Sequence, residues 1–259
     1  AYVLGFLTMP TMILFAFITA LTTICLFIYE YYHGRHGEYI VVINTVVFGI
    51  ALLVSLFFLP SSGFALYYYS LGHPISYLLL IIGTIILYVL SRFLKGKPWY
   101  SYPAIVIALM VVGILVMALT LPALFQTFIE GLQSFFGLSP YTVTIQEARP
   151  WTLGEAWAVF NFGLLLMIGG ILVLLYKNWK EYRPGHIFVL VWSFFIIIAA
   201  FREVRYEYYL AVNIALLGGI CVGFALEHAW PDILAMGKKA SVKEPEPEQK
   251  EVKGSTKKK

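Results

Sequence analysis

Residues 103–121 read Pro-Ala-Ile-Val-Ile-Ala-Leu-Met-Val-Val-Gly-Ile-Leu-Val-Met-Ala-Leu-Thr-Leu, a stretch without a single charge. Coiled into a helix, such a run approaches the thickness of a bilayer's hydrocarbon core, about 30 Å. Six more runs of this kind occur, at about Val3–Tyr29, Tyr39–Leu59, Ile75–Leu90, Ala156–Tyr176, Ile187–Phe201 and Tyr208–Ala225. Pro10 predicts a kink in the first, and Pro60 closes the second. The chain is 60% hydrophobic, 12% charged and 17% aromatic, which excludes a water-soluble domain. The expected fold class is therefore all-α and polytopic, with about seven transmembrane helices.

Lysine and arginine set the orientation, because short cytoplasmic loops accumulate them. The first, third and fifth connections carry Arg35; Arg92, Lys95 and Lys97; and Lys177, Lys180 and Arg183. The second, Ser61–Pro74, has no charge, and the fourth and sixth hold Arg149, Arg202 and Arg205 as their basic residues. The even connections are thus expected outside and the lysine-rich C-terminus inside. A membrane domain over residues 1–236 and a disordered, charged cytoplasmic tail or linker over 237–259 follow from composition. The chain begins at Ala1 inside an apolar run, without a basic n-region or a cleavage site, so further helices are expected upstream.

Cys25 and Cys221 lie in apolar runs and read as small buried hydrophobes. The histidines at 33, 36, 73, 186 and 228 lack metal-site spacing. The basic residues report topology, so no nucleic-acid partner is expected.

The fourth connection, residues 122–155, is long. Phe125, Phe128, Ile129, Leu132, Phe135 and Phe136 recur at helical spacing opposite Gln126, Thr127, Glu130, Gln133 and Ser134, which predicts an interfacial helix. Gly137, Ser139 and Pro140 end it, and Tyr141–Ile145 reads as extended. Thr152-Leu153-Gly154-Glu155 has the spacing of a capping box that opens the fifth span. Glu147 has no such explanation and no neighbouring partner other than Arg149. Spacing alone leaves it open between a solvated loop charge and a site residue.

The sixth connection places Arg202, Glu203, Arg205 and Glu207 among tyrosines in a very short turn. Charge this close to hydrocarbon must be solvated, paired or functional. One reading pairs Arg202 with Glu203 or Glu207; the other has an outward arginine bind an anion, for which its planar fork suits phosphate.

Thr144-Ile145-Gln146-Glu147 resembles the TIxE motif of the fifth external loop in archaeal and bacterial oligosaccharyltransferase catalytic subunits, and Arg205-Tyr206-Glu207-Tyr208-Tyr209-Leu210-Ala211-Val212-Asn213 resembles an arginine-aromatic segment two helices later in the archaeal enzymes. Order, spacing and sidedness agree. The resemblance implies a multi-pass cell-membrane C-type glycosyltransferase with its site facing outside. Its activity would transfer a glycan from a dolichol-linked phosphate or pyrophosphate donor to the asparagine of an Asn-x-Ser/Thr sequon. It further implies that Glu147 binds a Mn²⁺ or Mg²⁺ ion and the acceptor amide, and that Arg205 contacts the lipid phosphate.

The family's Asp-x-Asp metal ligands and its Trp-Trp-Asp-Tyr-Gly sequon-binding motif do not occur here; Asp232 is the single aspartate. The chain alone is therefore expected to be inactive. Two other classes stay open. A different lipid-linked glycosyltransferase, such as a protein mannosyltransferase, would carry acidic residues in its first external loop. A transporter or other non-enzymatic membrane protein would place ionisable residues or broken helices at mid-membrane.

Overall fold

The computed structural model describes residues 2–58, 68–135 and 149–241. The described helices are α1 (Tyr2–Thr8), α2 (Ile13–Tyr32), α3 (Glu38–Phe57), α4 (Gly72–Phe93), α5 (Ser101–Thr120), α6 (Pro122–Phe135), α7 (Leu153–Phe160), α8 (Phe162–Lys180), α9 (Pro184–Arg202) and α10 (Glu207–Ser241). No strand occurs among the described residues. Seven helices are long and apolar enough to cross a membrane: α2, α3, α4, α5, α8, α9 and the Val204–Pro231 stretch that includes most of α10. The seven runs read from the sequence map onto these seven helices, and α6 is the amphipathic helix expected in the fourth connection.

The boundaries depart from expectation in three places. Pro10 breaks the first run into α1, a 3₁₀ turn at Pro10–Met12 and α2, rather than kinking one helix. A proline has no N–H to give to the preceding turn, and carbonyls freed in hydrocarbon must find donors elsewhere. Tyr69 supplies one: its hydroxyl donates to the carbonyls of Phe6 (2.8 Å) and Leu7 (3.0 Å). His73 supplies another, Nε2 donating to the Pro10 carbonyl at 3.0 Å. The fifth run divides at Asn161, whose φ of 47° and ψ of −128° are not helical and interrupt the hydrogen-bond ladder between α7 and α8. The last helix does not stop near Ala225 but continues past Pro231 to Ser241, where Glu227 meets Lys177 on α8 at 3.3 Å. The part of the expected tail from residue 242 onward lies outside the described residues.

Side-chain contacts gather the connections into two ends. At one, the Tyr31 hydroxyl donates to Leu94 O (2.7 Å) and that of Tyr29 to Asn178 O (2.9 Å), and the Tyr39 and Tyr182 hydroxyls both reach the buried carboxylate of Glu30. These bonds join the first, third and fifth connections. At the other end Tyr69 and His73 hold the α1–α2 turn, and the fourth connection meets the sixth.

Within the bundle, Asn44 on α3 donates to Thr23 Oγ1 on α2 (2.7 Å) and Thr84 Oγ1 on α4 (3.1 Å). Such a bond between membrane helices contributes about 0.6 kcal/mol on average, but a buried amide left unpaired would cost more. The closest packing is between α8 and α10, where a Cβ added at Gly170 would lie 2.1 Å from the Leu217 carbonyl oxygen. Small residues let membrane helices approach in this way, because lipid gives them no hydrophobic reason to associate. Gly170→Ala should therefore destabilise the protein by about 1–3 kcal/mol, as overpacking does. Gly83→Ala, where a Cβ meets nothing within 4 Å, should be neutral or stabilising by up to about 1 kcal/mol. Thermal unfolding in detergent checks the pair, and equal responses at the two glycines would contradict the contact.

Candidate functional site

The even end of the bundle is organised by the segment that enters α7. Thr152 has extended φ and ψ (−92°, 153°), and its hydroxyl accepts the Glu155 N–H at 3.3 Å. Glu155 Oε2 in turn accepts from the Thr152 N–H and hydroxyl, both at 3.0 Å, which completes the capping box that the spacing predicted. Arg149 Nη1 lies 2.7 Å from the other oxygen of Glu155. The Thr152 N–H first, and the Arg149 guanidinium after it, hold the Glu155 carboxyl below the usual carboxylate range. Glu155 and Arg149 are thus committed to opening α7.

Trp151, immediately before the cap, is 4% exposed and packs edge-on against Phe160 (5.7 Å between centroids) and against Phe201 (5.8 Å). It shares a core cluster with Ala156, the pairing of a hydrophobic staple across a helix start. Its N–H donates to the Phe201 carbonyl (3.3 Å), and the Val204 N–H donates to the Arg149 carbonyl (3.1 Å). Two backbone hydrogen bonds therefore latch the end of the fourth connection onto the sixth.

The sixth connection is shaped by one extended residue. Glu203 has φ −143° and ψ 127° between the end of α9 and a 3₁₀ turn at Val204–Tyr206. Its N–H donates to Ala199 O (2.9 Å), and its carbonyl accepts from the Tyr206 N–H (3.1 Å). This backbone turns the Glu203 side chain inward, where it is 0% exposed, and leaves Arg202 and Arg205 outside. Arg205 Nε forms an ion pair with the Glu203 carboxylate, and the Arg205 guanidinium lies 5.2 Å from the centre of the Tyr206 ring. Burial pushes the Glu203 carboxyl up, and the charge of Arg205 opposes it. Arg202, the partner expected for Glu203, holds no ion pair among the described residues; the pairing falls to Arg205 instead.

Thr144, Ile145, Gln146 and Glu147 lie outside the described residues, and Arg205 lies within them. The latch joins Arg149, two residues after Glu147, to Val204, one residue before Arg205. Among the described residues no three His, Cys, Asp or Glu side chains converge as a metal site requires. Two carboxylates beside this junction, Glu155 and Glu203, are already paired with Arg149 and Arg205. The described residues therefore do not hold a divalent ion by themselves.

The sequence reading assigns no role to Trp151, and one of its two readings pairs Arg202 with Glu203 or Glu207, where the structure pairs Arg205 with Glu203. The one signal for Trp151 was an aromatic residue directly before a capping box; nothing in the spacing of the sixth connection singles out Arg205 as the partner of Glu203. Trp151→Ala should cost about 3–5 kcal/mol, as loss of a buried aromatic does. Hydrogen exchange should locate the damage, with the Val204 amide exchanging faster and the Asn44 region unchanged. Uniform loss of protection would instead mean that Trp151 supports the whole bundle and not the latch.

No protein-family model matches the chain. It is 23% identical over 271 aligned positions to dolichyl-monophosphooligosaccharide–protein glycotransferase AglB of Haloferax volcanii, a match that covers 76% of this chain and 26% of that protein. The chain thus spans about a quarter of the length of the curated relative it matches. Its fold is similar to archaeal oligosaccharyltransferase AglB of Archaeoglobus fulgidus in complex with an inhibitory peptide and a dolichol-phosphate, with a TM-score of 0.78 at 18% identity, over 95% of this chain and 30% of the other. The apo form of that protein gives a TM-score of 0.76 at 18% identity over the same shares. In sequence over 76% of its length and in fold over 95%, the chain is similar to archaeal oligosaccharyltransferases, of which it spans no more than 30%.

Proposed function

We propose that this chain forms part of the donor and acceptor site of a membrane oligosaccharyltransferase, which moves a glycan from a dolichol-linked phosphate or pyrophosphate to the asparagine of an Asn-x-Ser/Thr sequon. The site would face the outside of the cell membrane. The observation that carries this reading is the latch: it ties the connection bearing the Thr144–Glu147 motif to the connection bearing Arg205. Arg149 and Glu147 are separated by at most about 7 Å of chain. Two likenesses support a lipid-linked donor and a peptide acceptor: one relative's name specifies a dolichyl-linked oligosaccharide, and the similar structure was solved with a peptide and a dolichol-phosphate.

In the transfer, the bond between the sugar's anomeric carbon and the phosphate oxygen breaks, and a bond from that carbon to the amide nitrogen forms. The amide loses one proton, and the phosphate leaves with the electron pair. Two difficulties follow. An amide nitrogen is a poor nucleophile, and a carboxylate at Glu147 addresses this by accepting a hydrogen bond from the amide and fixing its direction. The leaving group gathers negative charge, and Arg205 offsets it with N–H donors at the edge of the bilayer. Arg205 is suited to this position because its side chain is 45% exposed while its Nε edge is fixed.

Glu147 would also be one ligand of a Mn²⁺ or Mg²⁺ ion, whose charge supplies further stabilisation of the leaving phosphate when bound. Its remaining ligands would come from outside the described residues, and the chain by itself would not turn over.

The test uses the gene product that contains this chain, in membranes supplied with lipid-linked glycan and a sequon peptide. Glu147→Gln should lower transfer about 100-fold or more with the fold retained, and Arg205→Ala should raise the KM for the lipid donor about tenfold or more. Wild-type kinetics in both variants would refute the assignment.

A further inference from the structure

Glu203 takes no part in the chemistry just described, yet it is fully buried and acidic at the edge of a membrane span. Burial of a carboxylate is unfavourable unless a charge compensates it. Glu155, the other acidic residue of this junction, has a complete structural explanation in the capping box. The Glu203 side chain makes no cap hydrogen bond, and its one charged partner among the described residues is Arg205. The backbone around it is fixed at both ends by hydrogen bonds to Ala199 O and from Tyr206 N–H, and the next residue is latched to Arg149. The backbone that carries the carboxylate is therefore held in place, and the exposed arginine reaches in to meet it.

Resting on the donor-binding reading of Arg205, we propose that Glu203 is a positioning residue that holds the Arg205 guanidinium in one orientation before the lipid phosphate arrives. The ion pair engages the Nε edge, the end of the guanidinium nearest the chain. The Tyr206 hydroxyl also bonds the Arg205 side chain, but a guanidinium has five N–H donors and this side chain stays 45% exposed, so donors remain to face a phosphate. The Tyr206 ring, 5.2 Å from the guanidinium, limits rotation about the last bonds of the side chain. An arginine fixed in this way loses less conformational freedom on binding than a free one, which is how preorganisation increases affinity. Arg202 is the contrast, exposed and without an ion pair among the described residues.

Two opposed effects follow from the pair, and they differ in sign. If Glu203 only neutralised Arg205, removal of its charge would leave a bare cation and strengthen anion binding. If it positions Arg205, removal weakens binding.

The experiment titrates the purified protein in lipid nanodiscs with dolichyl phosphate. Arg205→Ala should weaken binding, and Glu203→Gln should weaken it roughly threefold to tenfold. The double variant should bind no more weakly than Arg205→Ala alone, because Glu203 acts through Arg205. Wild-type or tighter binding by Glu203→Gln, or additive losses in the double variant, would overturn the proposal while leaving the role of Arg205 intact. Wild-type binding by Arg205→Ala would instead sink the donor-binding reading on which the proposal rests. Should Glu203→Gln fail to fold, Arg205→Lys carries the test, since lysine keeps the charge but presents no fork for Glu203 to orient. Affinity as low as that of Arg205→Ala supports positioning, and wild-type affinity contradicts it.

Discussion

Two backbone hydrogen bonds, from Trp151 N–H to Phe201 O and from Val204 N–H to Arg149 O, join the fourth and sixth connections. Connections at the end of a helical bundle are otherwise free to separate, because no hydrophobic effect presses polar loops together in water. The buried Trp151 ring and the capping box at Thr152 make this junction a fixed structure. They also fix the entry of α7 and, through Phe201, the end of α9. The extended Glu203, its ion pair with Arg205 and the start of α10 follow from that geometry. Everything assigned to the site depends on this junction remaining closed.

Several features of the rest of the bundle answer the cost of leaving polar groups unpaired in hydrocarbon. That cost explains why the break at Pro10 is accompanied by Tyr69 and His73, whose side chains cover the exposed carbonyls from the start of α4. It explains Asn44, which binds threonines on two neighbouring helices and so links α2, α3 and α4 at one level. At the opposite end, Glu30 is reached by tyrosines from α3 and from the α8–α9 connection. A buried carboxylate there joins three elements that packing alone would let slide. The site end is built on the same logic, with Glu203 in the role of Glu30 and an arginine in place of the tyrosines.

Much of this was legible in the sequence because a bilayer imposes a simple rule on composition. The seven apolar runs, the amphipathic α6 and the capping box at Thr152–Glu155 all follow from periodicity and spacing over short distances. The breaks at Pro10 and Asn161 were harder to read. A proline in an apolar run permits either a kink or a full stop, and donors far along the chain, Tyr69 and His73, decide which. Asn161 carries no local signal at all. Arg205's partner is not legible in the sequence because four charges share one very short turn, and spacing alone does not say which of them pair. The extended conformation of Glu203 accompanies its pairing with Arg205 and not Arg202; local hydrogen bonds to Ala199 and from Tyr206 flank it, and a tertiary one from the next residue, Val204, to Arg149 holds the turn in place.

The most direct test of the junction is oxidative cross-linking in lipid bilayers of a variant that carries Arg149→Cys and Val204→Cys, with Cys25 and Cys221 replaced by serine. Lys95→Cys paired with Arg149→Cys, from opposite ends of the bundle, is the control. Rapid disulfide formation in the first variant and none in the second is the expected result. Failure of the 149–204 pair to cross-link in folded protein, or a yield no greater than the control's, would contradict the claim that the two connections form one site.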